Sequence, residues 1–176
     1  MATTKWNLDP VHSEIGFKVR HMMLTNVSGK FQNFEGLLER FDDSFDGAAI
    51  SFSAEVSSLT TGNEERDAHL LSADFFDTVQ FPTMTFTSQS FTKNNDLEFT
   101  LEGDFLLHGI KKSIRLEATF EGINNDPWGN TRAGFHLNGK LNRKDWNLTW
   151  NSLLETGGMM VGEEVGLNIQ LQFIKV

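Results

Sequence analysis

Arg66, Asp67 and His69 stand almost side by side, and a guanidinium, a carboxylate and an imidazole together could move protons on a bound molecule. Acid–base work on a headgroup, as in a lipid isomerase or lyase, is the chemistry such a trio offers. The plainer reading is structural, because charged groups beside a core fix geometry more often than they react. The histidines His12, His21, His69, His108 and His136 raise a metal site as well. None pairs at His-x-His or His-x-x-x-His spacing, so the chain has no local ligand template, and neither metal nor cofactor is expected. A Gly-x-Ser-x-Gly elbow, a dinucleotide fingerprint and a Walker loop are all absent from the sequence.

The trio lies in the stretch from Thr60 to Phe86, where the period-two alternation of the rest of the chain breaks. Thr61 followed by Glu64 fits a capping box, which predicts a short helix insert near residues 61–72. Arg66 would then share a face with His69 and Leu70, with Asp67 and Leu71 on the neighbouring one. Phe75, Phe76 and Phe81 follow, and Pro82 marks entry into the next strand. Such an insert would plug one end of a barrel and could also serve as a lid.

Elsewhere apolar and polar residues alternate, the signature of half-buried strands. The pattern runs through Trp6–Asp9, through Ile15, Phe17 and Val19, and through Val27–Phe41 with a slip around Phe31 and Phe34 that predicts a bulge or bend. It resumes at Ile50–Val56, Met84–Ser88, Leu97–Leu107, Ile114–Phe120, Ala133–Leu141 and Val165–Phe173. Asp46-Gly47 and His108-Gly109 read as turns. Trp146, Trp150, Leu153 and Leu154 are expected to pack one far end. About eight long strands without strand–helix–strand repeats predict an all-β fold, an extended eight-stranded antiparallel barrel spanning residues 1–176 as one domain. An open two-sheet sandwich is the competing architecture.

The 176 residues contain no cysteine, which excludes disulfides, thiolate metal sites and cysteine nucleophiles. A net charge of −9 disfavours nucleic acid, and Lys111, Lys112 and Arg115 read as a solvated strand face. The first residues lack the apolar run of a secretory signal and no stretch is apolar enough to span a bilayer, so a cytoplasmic location is expected. Sixteen Phe and four Trp without a single Tyr suit an oily interior better than a hydrogen-bonding site.

A barrel of this strand number either fills its middle or leaves room for one small ligand. Strands of about ten residues tilted near 40° would make it about 25 Å tall, a depth that suits a chain. Small residues at Ala54, Gly103, Ala118, Ala133 and Gly139 could keep an axial space open or serve tight interdigitation. The apolar register nominates Phe17, Phe31, Phe34, Ile50, Phe52, Phe75, Phe76, Met84, Phe86, Phe99, Leu101 and Phe105 as lining. Ile114, Leu116, Phe135, Leu137, Leu167, Ile169 and Leu171 complete it. If the space is open, burying about ten chain carbons at about 0.8 kcal/mol each gives about 8 kcal/mol gross, enough for micromolar binding after modest costs.

The order and spacing of several fragments carry a resemblance. They are Trp6 and Leu8-Asp9, His12-Ser13, Phe17, His21-Met22, Gly29-Lys30-Phe31, and the Ser58–Gly62 approach to Arg66-Asp67 and His69-Leu70. Asp74-Phe75-Phe76, Phe81-Pro82, Phe86, Gly103-Asp104, His108-Gly109, Gly134-Phe135, Arg143 before Trp146, Val161-Gly162 and Val165 continue it. Over nearly its whole length the chain resembles the YceI-like family, lipocalin-like proteins associated with polyisoprenoid lipids. The resemblance implies a hydrophobic tunnel for a long isoprenoid or isoprenoid quinone, held for carriage, storage or sequestration, often in a homodimer. In a binding module of this kind His12, His21, Arg66, Asp67 and His69 are expected at a polar mouth that meets the ligand head. Many relatives are exported, unlike the location expected here, and Trp146-Asn147-Leu148 departs from a smaller Phe-Gly-Leu-like version in a way that would narrow one end of the tunnel.

Overall fold

The computed structural model describes residues 3–41, 43–152, 154 and 158–176. The alternating segments become strands β1 (Thr3–Leu8), β2 (Glu14–His21), β3 (Thr25–Phe31), β4 (Phe34–Phe41), β5 (Ala49–Glu55) and β6 (Leu59–Thr60). After α1 (Glu64–Leu71) come β7 (Thr83–Lys93), β8 (Glu98–Leu107), β9 (Ile110–Asn125), β10 (Thr131–Asn142) and β11 (Val161–Lys175). The order β1-β4-β5-β7-β8-β9-β10-β11 closes because β11 pairs back onto β1, so an antiparallel ring of eight has no free edge there. The sandwich alternative is thereby set aside.

Long β11 holds two partners end to end, β2 along Val161–Gln170 and β1 along Phe173–Lys175. Pro10, which has no amide proton to give to a ladder, falls in the break between them. The expected single strand from Val27 to Phe41 is likewise two, β3 and β4. At the break the amides of Gln32 and Asn33 leave the ladder and both donate to Ser58 Oγ, at 3.1 and 3.0 Å. β6, which alternation did not reveal, pairs with β3 at Lys30 and Phe31.

The helix starts later than the capping box predicts. Asn63 is the cap, its side chain accepting from the Arg66 amide at 3.0 Å, and Thr61 is left outside the helix to bind side chains of the first turns. β7 begins only at Thr83, and between β6 and β7 α1 and the segment through Phe81 pack back on the sheet, with Phe76 edge-on to Phe31 of β3 at 6.2 Å. Gln80 and Phe81 amides close back onto Asp77, which fixes the aromatic run before Pro82.

Packing differs along the barrel axis. Near the β9–β10 hairpin, Phe45, Phe120 and Phe135 meet with ring centroids 5.2–5.4 Å apart, and Phe91 stacks on Phe99 at 4.7 Å. Trp6 and Phe173 join them, and the buried Arg40 guanidinium lies 4.3 Å from the Phe45 ring centroid. This end is solid protein. The small residues serve packing rather than space: a Cβ at Gly103 would lie 2.5 Å from Phe86 Cζ, and one at Gly139 would strike Leu116. Ala54, Ala118 and Ala133 are buried without facing the cavity at the other end of the barrel.

Candidate functional site: a one-ended apolar cavity

Toward the other end the barrel encloses a cavity of about 310 Å³, within the size range of small-molecule sites. Its deep wall is apolar, built from inward residues such as Met84, Phe86, Leu101, Leu116, Leu137 and Phe173. Polar groups gather where β2, α1 and the start of β11 meet: Arg20, His21, Thr61, Arg66, His69 and Arg143. Apolar depth below a polar rim suits an amphiphile.

Of the predicted lining, Phe17, Phe31, Ile50, Phe52, Phe75, Phe76, Met84, Phe86, Leu101, Phe105, Ile114, Leu116, Leu137, Leu167, Ile169 and Leu171 face this space. Phe34, Phe99 and Phe135 do not. Phe99 and Phe135 belong to the solid aromatic end, and Phe34 packs beside Phe52 with centroids 6.1 Å apart. Alternation gave the correct face in the first two cases but not the height along the barrel, at which the protein's own rings fill the bore.

The predicted polar mouth divides. His21, Arg66 and His69 face the cavity, whereas His12 and Asp67 do not. His12 Nδ1 lies 2.7 Å from Asp9 Oδ2, in a network where Arg132 donates to Asp9 at 2.7 Å and to Asp126 at 2.8 Å. That network ties the β1–β2 corner to the β9–β10 hairpin, beside the solid end. Burial works to raise Asp126, but hydrogen bonds from Arg132, Asn130 and the Trp128 amide outweigh it and bring its pKa to about 2.

Nor do Arg66, Asp67 and His69 form a buried cluster. Asp67 accepts from the Thr61 amide and hydroxyl, Arg66 donates to Thr61 Oγ1 and carbonyl at 2.7 and 2.8 Å, and His69 Nε2 pairs with Asp74 at 2.8 Å. All three are only partly buried. Each is committed to a structural partner, with Arg66 and His69 still touching the cavity. Among the described residues no three His, Asp or Glu side chains converge as a metal site would require.

Arg143, noticed in the sequence only as a family fragment, is the buried cation of the site. Its guanidinium donates to the carbonyls of Leu148 (2.6 Å), Gly162 (2.8 Å), Trp150 (3.0 Å) and Val161 (3.3 Å), tying residues 148–150 to the start of β11 beside the cavity. Burial lowers its pKa, with Glu163 acting weakly the other way. Main-chain acceptors leave no mark in a side-chain pattern, so spacing could not reveal this role. Trp146 lines the cavity and donates to the Phe105 carbonyl at 3.2 Å, and Asn147 after it is left-handed at φ 59°, a conformation glycine adopts without penalty. Trp150 also faces the cavity and stacks edge-on to His69 at 4.7 Å, while Leu154 lies against Gly158 and the expectation for Leu153 falls outside the described residues.

A closed antiparallel barrel whose bore holds one apolar cavity is the architecture of the lipocalin-like class. Within that class the chain belongs to the YceI-like domain family, whose model matches residues 6–173. A UPF0312 protein of Staphylococcus epidermidis is 35% identical over 97% of both chains, and protein YceI of Escherichia coli is 38% identical over 78% of this chain and 71% of its own. Among solved structures, a Campylobacter jejuni YceI protein aligns with TM-score 0.76 and 28% identity over 88% of both chains. A polyisoprenoid binding domain from Saccharophagus degradans shares the fold, with TM-score 0.73 and 14% identity over 96% of this chain and 97% of its own.

Proposed function

We propose that this protein binds one long amphiphile, a polyisoprenoid or isoprenoid quinone, for carriage, storage or sequestration. The tail lies in the bore against Phe86, Leu101, Leu116 and Leu137, and the head meets Arg66, His69 and the neighbouring rim. The observation that carries this reading is the cavity itself, lined along its depth almost wholly by apolar side chains, with packed rings beyond one end and its charged groups gathered at the other. The polyisoprenoid-binding structural neighbour supports the ligand class. Binding of this kind needs shape and apolar area and no reacting group. The isomerase or lyase alternative gains no support from side chains already committed to Thr61 and Asp74.

The test is native mass spectrometry of the purified protein, followed by lipid extraction. A stoichiometric adduct released unchanged as a long-chain amphiphile is the expected result. Conversion of a supplied isoprenoid into a new product would contradict carriage, and failure to bind any such lipid would remove the reading altogether.

A further inference from the structure

The turn joining β2 to β3 combines two features that seldom coincide. Met22 and Met23 both occupy the left-handed region, at φ 50° and 60°, and the Leu24 amide donates to the His21 carbonyl at 3.0 Å, which makes a type I′-like turn inside the three-residue loop between the paired His21 and Thr25. That turn favours Asn-Gly, because only such residues enter the left-handed region at little cost. Here it holds two methionines instead. The turn is nonetheless exposed: Met22 is 39% exposed, Met23 61%, with its thioether lying over Gly158, and Leu24 73%, and the nearby Met159, next in chain to Gly158, is 37% exposed.

Strain and exposed apolar surface fall together at the cavity mouth. His21 and Arg20, immediately before the turn, line the cavity, as does Met160, whose carbonyl accepts from the Met22 amide at 2.7 Å. Arg20 Nη2 donates to the Met23 carbonyl at 3.2 Å, which braces the turn from the cavity side. Flexible, polarisable thioethers suit a surface that must adapt to a disordered partner. The charge pattern fits an uncharged partner surface: the mouth cations Arg20, Arg66 and Arg143 are held by acceptors within the protein, Glu163 and Glu164 are paired with Lys144 and Lys140, and the net charge of −9 opposes an anionic surface.

We infer that the Met22-Met23-Leu24 turn, with Met159, docks on a zwitterionic lipid bilayer, seating the cavity mouth where an amphiphile leaves the membrane. The inference rests on the amphiphile reading above, because an aqueous ligand would give the mouth no reason to meet hydrocarbon. The apolar tip buries shallowly among the headgroups, and the tail passes into the bore without crossing water.

The test compares the protein with its M22N/M23G variant, which installs the preferred turn pair and should raise the thermal midpoint. Co-flotation with phosphatidylcholine vesicles should fall at least about tenfold in the variant, and for the unsubstituted protein it should weaken when phosphatidylglycerol is mixed in. Uptake of an isoprenoid alcohol delivered from ethanol should be equal in the two proteins, while uptake from vesicles should slow in the variant alone. Equal flotation of the two proteins, or none by either, would overturn the inference. A dimer that the substitutions convert to a monomer would also overturn it, by assigning the surface to a second copy. Failure of both proteins to take up the alcohol, with the flotation difference intact, would sink the amphiphile reading and leave docking supported.

Discussion

The two ends of this barrel are made of the same residue types on the same alternating face, yet one is solid and the other hollow. At the solid end seven aromatic rings, from Trp6 to Phe173, converge from six strands and one loop and leave no bore. At the hollow end aliphatic side chains outnumber rings on the strands, the wall rings Phe17, Phe31, Phe52, Phe86, Phe105 and Phe173 stand around the space, and Phe75, Phe76, Trp146 and Trp150 join them from connections. Apolar composition does not decide whether a barrel is filled. The height at which rings meet one another across the bore decides it.

The sharpest break in this comparison should come from Phe135→Ala. Phe135 touches Phe45, Phe91, Phe99, Phe120 and Phe173, so truncation should cost about 3–5 kcal/mol in chemical denaturation while ligand capacity per folded molecule is kept. At the hollow end, Arg143→Met would strip donors from four carbonyls. A loss of roughly 3 kcal/mol is expected, with amide exchange quickening first across residues 147–152 and at Val161.

Two additions of bulk distinguish wall from space. Ile169→Phe projects into the cavity and should lower isoprenoid occupancy at least about tenfold while changing stability by less than about 1.5 kcal/mol. Gly103→Phe, by contrast, drives a ring into Phe86 and the Thr87 carbonyl, so it should fail by unfolding rather than by blocking the tunnel. The smallest effect concerns acid. Asp126 ionises near 2 when folded, below its ordinary 3.8, so the unfolded chain binds more protons between those values. The stability it contributes is present above about pH 4 and is lost as pH falls toward 2. A pH series of thermal midpoints should therefore flatten in Asp126→Asn.

Much of this was legible in the sequence because β-strands declare themselves by period. The closed barrel, most of the inward face and the short helix all followed from alternation and its single interruption. What escaped has a common physical cause, interactions between distant or backbone groups. Arg143 binds carbonyls, Ser58 breaks β3 from β4 through its hydroxyl, and Asp67 turns back to Thr61, none of which has a sequence period. The small residues were legible as small but not as sockets for Phe86 and Leu116, because the partner ring sits on another strand.

One diffraction experiment bears most directly on the contrast between the ends. A crystal grown with an isoprenoid amphiphile brominated at the tail terminus should give an anomalous peak inside the barrel, among Phe86, Leu101, Leu137 and Phe173 and short of Phe135. A peak on the outer surface, or one reached only by displacing the Phe45–Phe120–Phe135 cluster, would contradict the division of the bore into a filled end and a receptive one.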